Sequence, residues 1–595
     1  MHVIATAGHV DHGKSTLVAA LTGMEPDRLA EERRRRLTID LGFVWTTLPG
    51  AGEVAFVDVP GHERFVATML AGVGPVPAVL FVVAADEGWM PQSAEHLEAL
   101  DALGVSRGVL VVTRSDLADP APAIEEAREW TAESTLRDLP AVAVSAVTGE
   151  GLDDVRAAIV DLVADLPPPD VAAPVRLWVD RSFSIRGAGT VVTATLGAGT
   201  VQPGDELLNT TGRTVRVRGV EALGEPRDRV TATARVALNL RGVDRDAVPR
   251  GLPLLTPGAW RPADSLDVEL RPTTSTPLPE HLVLHIGTAA VPCRLRPLGP
   301  AHGRLRLDRP LPLRYGDRAV LRDPGRRRIA AGLIVLDVDP PPLTRRGAAG
   351  TRAAELADMR TAGDVTVSHL RRGPRRGTEL AAMGLPTVGA PRHGDWYADD
   401  ERWAEYAAEL TEAERHHRAA HPLEPGMPVA TAARRLALPD PALVPVLAAD
   451  AGLTCASGLL TPPGDAPGLP PAIDRAVQIL ERDLAADPFG APNADRLAEL
   501  GLGNAELAAA ERFGRLLRVA PGIVLLPDVD RSALEVLAEL PQPFTLSDAR
   551  QAMRTTRRVA VPLLELLAAR GLTRRTEDAR HTLRTPARPT SPDTG

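Results

Sequence analysis

Short, almost unbroken apolar runs punctuate the first part of the chain: Val54-Ala55-Phe56-Val57, Ala78-Val79-Leu80-Phe81-Val82-Val83 and Val109-Leu110-Val111-Val112, each bounded by turn-forming residues. Amphipathic stretches separate them. A strand that is apolar at every position is buried on both faces, so the pattern predicts parallel strands alternating with helices over residues 1–170. Past Pro167-Pro168-Pro169 the pattern changes to β-branched stretches spaced by Gly and Pro, such as Gly189-Thr190-Val191-Val192-Thr193 and Thr214-Val215-Arg216-Val217-Arg218. Two small β-barrels are expected there, at 171–260 and 261–340. After Pro340-Pro341-Pro342 the chain becomes rich in Ala, Leu, Arg and Glu. Short helices followed by a small hairpin then recur every ~55 to 70 residues. Four winged-helix units are expected, at 341–422, 423–468, 469–527 and 528–585, followed by a disordered tail at 586–595.

Composition narrows the setting. A chain of 595 residues exceeds what one hydrophobic core supports, which agrees with several domains. The net charge of -9 confines any nucleic-acid contact to local patches. Cys293 and Cys455 stand far apart without metal-ligand spacing, which fits a reducing compartment and makes the cytoplasm the expected location. No apolar run approaches the ~20 residues of a membrane span, and the opening Met-His-Val-Ile-Ala-Thr-Ala reads as a buried first strand rather than a signal peptide. Lys14 is the only lysine; every other basic side chain is arginine. An ammonium kept at one place suggests a tight cradle that a guanidinium would not fit.

That lysine stands in Gly8-His9-Val10-Asp11-His12-Gly13-Lys14-Ser15, which matches the phosphate-loop pattern between a strand and an amphipathic run beginning at Thr16. Backbone N–H groups of Gly8 to Gly13 and the helix start at Thr16 would wrap the phosphates, Lys14 would reach the β and γ groups, and Ser15 would bind Mg2+. Asp58-Val59-Pro60-Gly61 follows a strand; its carboxylate can support the magnesium shell and the Gly61 N–H can sense the γ-phosphate. By itself it would be an ordinary strand-ending turn. Thr113-Arg114-Ser115-Asp116 differs from the usual Asn-Lys-x-Asp in its first two residues, but Asp116 can accept from two adjacent guanine N–H groups. Adenine presents an acceptor there and would leave the carboxylate unpaired. Ser145-Ala146, followed by Gly149, supplies an amide for the guanine oxygen. The four elements in this order select GTP over ATP and make the first domain an α/β P-loop GTPase.

The phosphate loop together with Val59-Pro60-Gly61-His62-Glu63 resembles the translational GTPases typified by elongation factor Tu, over residues 1–338. The resemblance implies that His62 is the catalytic residue, orienting the attacking water, and that Thr38 joins Ser15 and Asp58 around Mg2+ in the GTP state. Asp180-Arg181-Ser182-Phe183-Ser184-Ile185-Arg186-Gly187 looks like the start of the barrel that cradles the aminoacyl end of tRNA, which puts Asp180 and Arg181 beside the esterified amino acid. Elongation factor Tu stops after its third domain, whereas this chain continues to residue 595. Met24-Glu25-Pro26-Asp27-Arg28, Leu37-Thr38-Ile39-Asp40-Leu41-Gly42-Phe43 and the long tail resemble the selenocysteine-specific (SelB) branch. In that branch four winged-helix units follow the barrels, and the last holds an mRNA hairpin (SECIS). The implied partners are selenocysteinyl-tRNA, that hairpin and the ribosome, with no membrane and a monomeric state.

In residues 541–595 ten arginines face five acidic residues, an excess of five positive charges. Arg557, Arg558, Arg574 and Arg575 are the candidate hairpin contacts, because guanidiniums at a helix start and a wing can hold phosphates and stack on bases. Arginine enrichment on a solvated face is the competing reading. Two other functions stay open: a factor for another aminoacyl-tRNA, or an RNA-tethering adaptor with a GTPase module.

Overall fold

The structure is a computed structural model, and it describes every residue except 27–37, 39, 63–64, 75, 188, 274–275, 465–467, 577 and 585–595. The expected tail at 586–595 lies outside the described residues. Contacts divide the chain into two units, residues 1–369 with 375–389, and residues 370–374 with 390–595.

The first unit opens with six strands: β1 (His2–Gly8), β2 (Gly42–Leu48), β3 (Gly52–Asp58), β4 (Ala78–Ala84), β5 (Gly108–Thr113) and β6 (Ala141–Ala143). Their order in the sheet is β2-β3-β1-β4-β5-β6, and only β2 runs antiparallel to its neighbour. Helices α1 (Lys14–Thr22), α2 (Val66–Val73), α3 (Pro91–Leu103), α4 (Ala121–Thr131) and α5 (Leu152–Ala164) connect them. The continuous apolar runs follow from this layering. In β4, Val79, Phe81 and Val83 enter one core while Ala78, Leu80 and Val82 enter the other, so a strand covered on both faces has no polar position to offer.

Two barrel domains follow. The first is an eight-stranded antiparallel sheet whose strand Ala234–Arg241 alternates strictly, with Ala234, Val236, Leu238 and Leu240 inward and Arg235 outward. The second is a closed six-stranded barrel, Pro262–Pro272 to Arg328–Asp337. Its Val320 and Ile329 join the core beneath α3, and Gly332 packs so closely on Ala102 that a Cβ there would lie 2.7 Å from the alanine methyl.

The second unit repeats one motif three times, three helices and then a hairpin. Asp400–Ala420, Val429–Arg435 and Leu443–Asp450 precede the hairpin Thr454–Ala456 with Leu459–Thr461. Pro471–Ala486, Ala494–Glu499 and Asn504–Arg512 precede Leu517–Ala520 with Ile523–Leu525. Val529–Ala538, Leu546–Ala552 and Arg557–Ala569 precede Thr573–Arg575 with His581–Leu583. These are winged-helix modules. The long helix Asp400–Ala420 shares one apolar cluster with the two helices after it, across position 422 where the sequence divides two units.

Candidate functional site

Residues 9–13 make the turn from β1 into α1. Asp11 and Gly13 both have positive φ, 65° and 84°, the left-handed backbone by which this short turn reverses direction. The Lys14 ammonium is buried and donates to the Gly8 and His9 carbonyls at 3.0 and 2.5 Å. Burial pulls its pKa down to about 8, opposed by Asp58 and Asp11, so it stays cationic at neutral pH. Gly61 lies against this loop, where a Cβ would stand 2.6 Å from Val10 N and 2.7 Å from Lys14 Nζ. Only glycine fits that approach.

Below the lysine, Ser15 Oγ donates to Asp58 Oδ2 at 2.6 Å and lies 3.0 Å from Thr38 Oγ1. Thr6 donates to the other carboxylate oxygen at 2.8 Å and fixes its orientation. The three expected magnesium ligands are therefore together. An all-oxygen set with a single carboxylate suits Mg2+, which fills its remaining positions with water and phosphate. His62 is partly exposed just beyond Gly61, with its ring centroid 6.0 Å from that of Phe65. Thr16 is exposed on the first turn of α1.

On the base side, the Thr113 hydroxyl donates to the His12 carbonyl at 2.7 Å, and Arg114 donates to the Asp11 carbonyl while pairing with Asp86 and Glu87. Asp116 is exposed at the tip of the same turn. Ser115 N–H donates to the Val144 carbonyl at 3.3 Å, which brings this turn beside buried Ser145 and half-buried Ala146. Two groups absent from the motifs support the phosphate loop from α3: His96 Nδ1 accepts from Gly8 N–H and Gln92 Oε1 from Val10 N–H, both at 3.0 Å. Burial, then Lys14 and His9, push the His96 pKa down to about 3, which keeps the ring neutral and Nδ1 an acceptor.

A cavity of about 250 Å3 lies where the sheet meets the first barrel, lined among others by Phe43, Trp45, Arg181, Phe183 and Arg235. Arg181 donates to Asp40 at 2.9 Å and to the Leu41 carbonyl at 2.6 Å. The guanidinium carbon of Arg235 lies 3.7 Å from the Phe43 ring centroid, within cation–π range. Asp180 does not line the cavity; it is buried behind it, held by both amino groups of Arg235 and by the Thr193 hydroxyl. The sequence pointed to Arg181 but not to Arg235.

Comparisons with known proteins agree with this arrangement. Residues 1–165 match the Elongation factor Tu GTP binding domain and 189–255 match Elongation factor Tu domain 2. Residues 264–342 match the Selenocysteine-specific elongation factor, beta-barrel domain, and 535–582 match Elongation factor SelB, winged helix. Elongation factor Tu 2 of Streptomyces avermitilis is 36% identical over 44% of this chain and 73% of its own length. A selenocysteine-specific elongation factor of Desulfomicrobium baculatum is 36% identical over 62% of this chain and 63% of its own. The chain belongs to the elongation factor Tu family of translational GTPases. A crystal structure of a bacterial selenocysteine-specific elongation factor, EF-Sec, superposes with a TM-score of 0.76 at 25% identity, covering 98% of this chain and 100% of that one. Matched regions span little more than three fifths of the curated selenocysteine-specific relative, 63%.

In the final winged helix of this family member, Arg557 and Arg558 open the helix Arg557–Ala569, and Arg574 and Arg575 lie on the hairpin. Arg558 donates to the Pro492 carbonyl at 2.7 Å, so it ties two modules together. All four arginines are exposed. Among the described residues no helix is long and apolar enough to cross a membrane.

Proposed function

We propose that this chain is a GTP-hydrolysing elongation factor specific for selenocysteine. It binds GTP with Mg2+, carries selenocysteinyl-tRNA to the ribosome at a UGA codon marked by an mRNA hairpin, and hydrolyses GTP there, acting as a cytoplasmic monomer. The observation that carries this reading is the pair of guanidiniums, Arg181 and Arg235, lining one cavity against Phe43. A selenol is more acidic than a thiol and is an anion at neutral pH, whereas the serine hydroxyl is not. A guanidinium about 4 Å from a selenolate gains on the order of 4 kcal/mol at a surface-like dielectric, before desolvation is subtracted.

In the hydrolytic step the loop N–H groups and Lys14 hold the β and γ phosphates, and Asp116 accepts from the guanine N–H groups. Ser15, Thr38 and Asp58 would hold Mg2+, whose charge neutralises the phosphate oxygens. His62 orients a water for attack on the γ-phosphorus; the bond to the β–γ bridging oxygen breaks and GDP and phosphate leave. With the γ-phosphate gone, the Gly61 N–H loses its acceptor, and that loss is the switch signal. Arg557, Arg558, Arg574 and Arg575 contact the mRNA hairpin from the last module.

GTP-dependent protection against deacylation tests the assignment, with selenocysteinyl- and seryl-tRNA sharing one tRNA body. Strong protection of the first alone is expected. Equal protection of both removes the selenocysteine specificity, and failure to hydrolyse GTP on ribosomes removes the rest.

A further inference from the structure

The carboxylate of Asp40 stands between two guanidiniums of the first barrel. Its Oδ2 accepts from Arg181 Nε at 2.9 Å and lies 2.9 Å from Arg181 Nη2, which also donates to the Leu41 carbonyl at 2.6 Å. Its Oδ1 accepts from the Leu41 N–H at 2.9 Å and lies 3.6 Å from Nη1 of Arg250, on the turn before the strand Pro253–Leu255. One edge of the Arg181 guanidinium is thus fixed by the segment that enters β2, while its Nη1 makes no hydrogen bond or ion pair among the described residues. The same guanidinium lines the cavity shared with Arg235 and Phe43. Two residues before Asp40, the Thr38 hydroxyl lies 3.0 Å from Ser15 Oγ, in the oxygen set that suits Mg2+. Two residues of chain reach at most about 7 Å, so Thr38 cannot travel far without drawing Asp40 off the barrel.

We propose that Asp40 is a positioning residue that ties the readiness of Arg181 to the place of Thr38. While Thr38 stands in the metal's oxygen set, Asp40 grips one edge of the Arg181 guanidinium and leaves Nη1 for the ligand; when Thr38 leaves, the grip goes with it. The inference rests on the reading of this cavity as the aminoacyl pocket. A guanidinium held along one edge has lost most of its side-chain freedom before the ligand arrives, so less ordering cost falls on binding. A plain tie between sheet and barrel is the competing reading, and partly exposed ion pairs of that kind contribute little. It does not account for a pair whose cation lines the cavity and whose anion is two residues from a metal-binding threonine. By linkage, whatever Asp40 adds to aminoacyl-tRNA binding in the GTP state, the bound tRNA returns as preference for GTP over GDP. Arg250 holds the same carboxylate from farther away and acts in the same direction, but less.

The test measures selenocysteinyl-tRNA binding to the full chain twice, with a non-hydrolysable GTP analogue and with GDP. Asp40→Ala should weaken binding with the analogue about tenfold and leave the GDP value unchanged, so the coupling between nucleotide and tRNA shrinks by the same factor. Affinity for GDP alone should match the parent, which shows an intact nucleotide site. Arg250→Ala should shift the coupling the same way by a smaller factor. Because Asp40 acts through Arg181, the double variant Asp40→Ala with Arg181→Ala should lose no more than Arg181→Ala alone. Equal losses with the analogue and with GDP would overturn the proposal, since a plain structural tie behaves that way, and so would additive losses in the double variant. A loss in Arg181→Ala with none in Asp40→Ala removes this inference alone, whereas no loss in Arg181→Ala removes the aminoacyl reading of the cavity and this inference with it.

Discussion

Thr113 donates its hydroxyl to the His12 carbonyl at 2.7 Å, from the end of β5 into the phosphate loop. Arg114 beside it donates to the Asp11 carbonyl. The two side chains that stand in place of the usual Asn-Lys pair thus both grip the phosphate loop, and the turn that reads the base is tied to the turn that holds the phosphates. Thr113→Val keeps the shape and leaves the His12 carbonyl without this donor. A buried unsatisfied group costs about 1–3 kcal/mol, so guanine-nucleotide affinity should drop by about tenfold or more, while Thr113→Ser should stay near the parent. Titration with a fluorescent guanine nucleotide reads both, and equal affinities for the Val variant and the parent would mean the tie does not matter.

Lys14 and His62 should separate cleanly. Lys14→Ala removes the one ammonium among the phosphates and should abolish nucleotide binding. His62→Ala should bind nucleotide normally yet hydrolyse it slowly on ribosomes, because its role concerns only the attacking water. Single-turnover hydrolysis with saturating ribosomes decides; normal turnover in the His62 variant takes the residue out of catalysis.

The His96 ring links the nucleotide site to acid stability. Burial holds its pKa at about 3, against 6.5 when unperturbed. Below 6.5 the unfolded chain therefore binds a proton that the folded chain does not, so the stabilisation is complete above 6.5 and is lost as pH falls toward 3. His12, pushed down to about 4 mainly by burial, acts in the same direction. In His96→Asn an amide oxygen can still accept from the Gly8 N–H, but no proton is taken up. Its stability, followed by hydrogen exchange over 1–165, should fall less steeply between pH 6 and 4, by about 1.4 kcal/mol per pH unit. An identical slope would show that this ring does not contribute.

How much the sequence revealed depended on how far apart the partners stand. Lys14, Ser15 and Asp58 were legible because each sits in a contiguous motif at the end of a strand, and the strands were legible because apolar residues feed cores on both faces. Arg235 and His96 were not. Each lies on an element whose periodicity predicts its secondary structure but not its partner, and the partners Asp180 and Gly8 are 55 and 88 residues away. The alternation that sends Arg235 outward reads like any solvated strand face until the sheet bearing Phe43 covers it.

Arg352 joins the first helix after the barrels to the second barrel. Its guanidinium donates to Asp267 at 2.7 Å and Asp337 at 2.6 Å, with only 2% of the side chain exposed, and His369 lies 3.0 Å from the other Asp337 oxygen. Arg352→Met would leave two buried carboxylates short of a cation. Breaking one side of a buried pair costs about 3–5 kcal/mol, although Arg304 remains on Asp267. Exchange protection in the helix Ala348–Asp358 should drop sharply, with little change in 1–165. Uniform loss across both regions would mean that the network stabilises the whole unit instead of the joint.

The aminoacyl cavity makes the sharpest demand on two side chains. Arg235 has a structural task, neutralising buried Asp180, and a proposed task facing the cavity; Arg181 is anchored to Asp40 and the Leu41 carbonyl beside the residues that lead into β2. Removing Arg235 strips Asp180 of its ion pair, so Arg235→Ala should lower stability as well as selectivity. Arg235→Lys preserves a charge but not the two-pronged bond, and should recover stability better than selectivity. Arg181→Ala leaves Asp180 and Arg235 paired, so it isolates the contribution of one guanidinium to the ligand. Its preference for selenocysteinyl- over seryl-tRNA should fall by about tenfold or more, since a tenfold change corresponds to only about 1.4 kcal/mol and the unscreened attraction exceeds that. Protection assays on both aminoacyl-tRNAs give the ratio. If Arg181→Ala leaves it unchanged while GTP binding is intact, Arg181 serves only to join the sheet to the barrel, and the selectivity must come from elsewhere in the cavity.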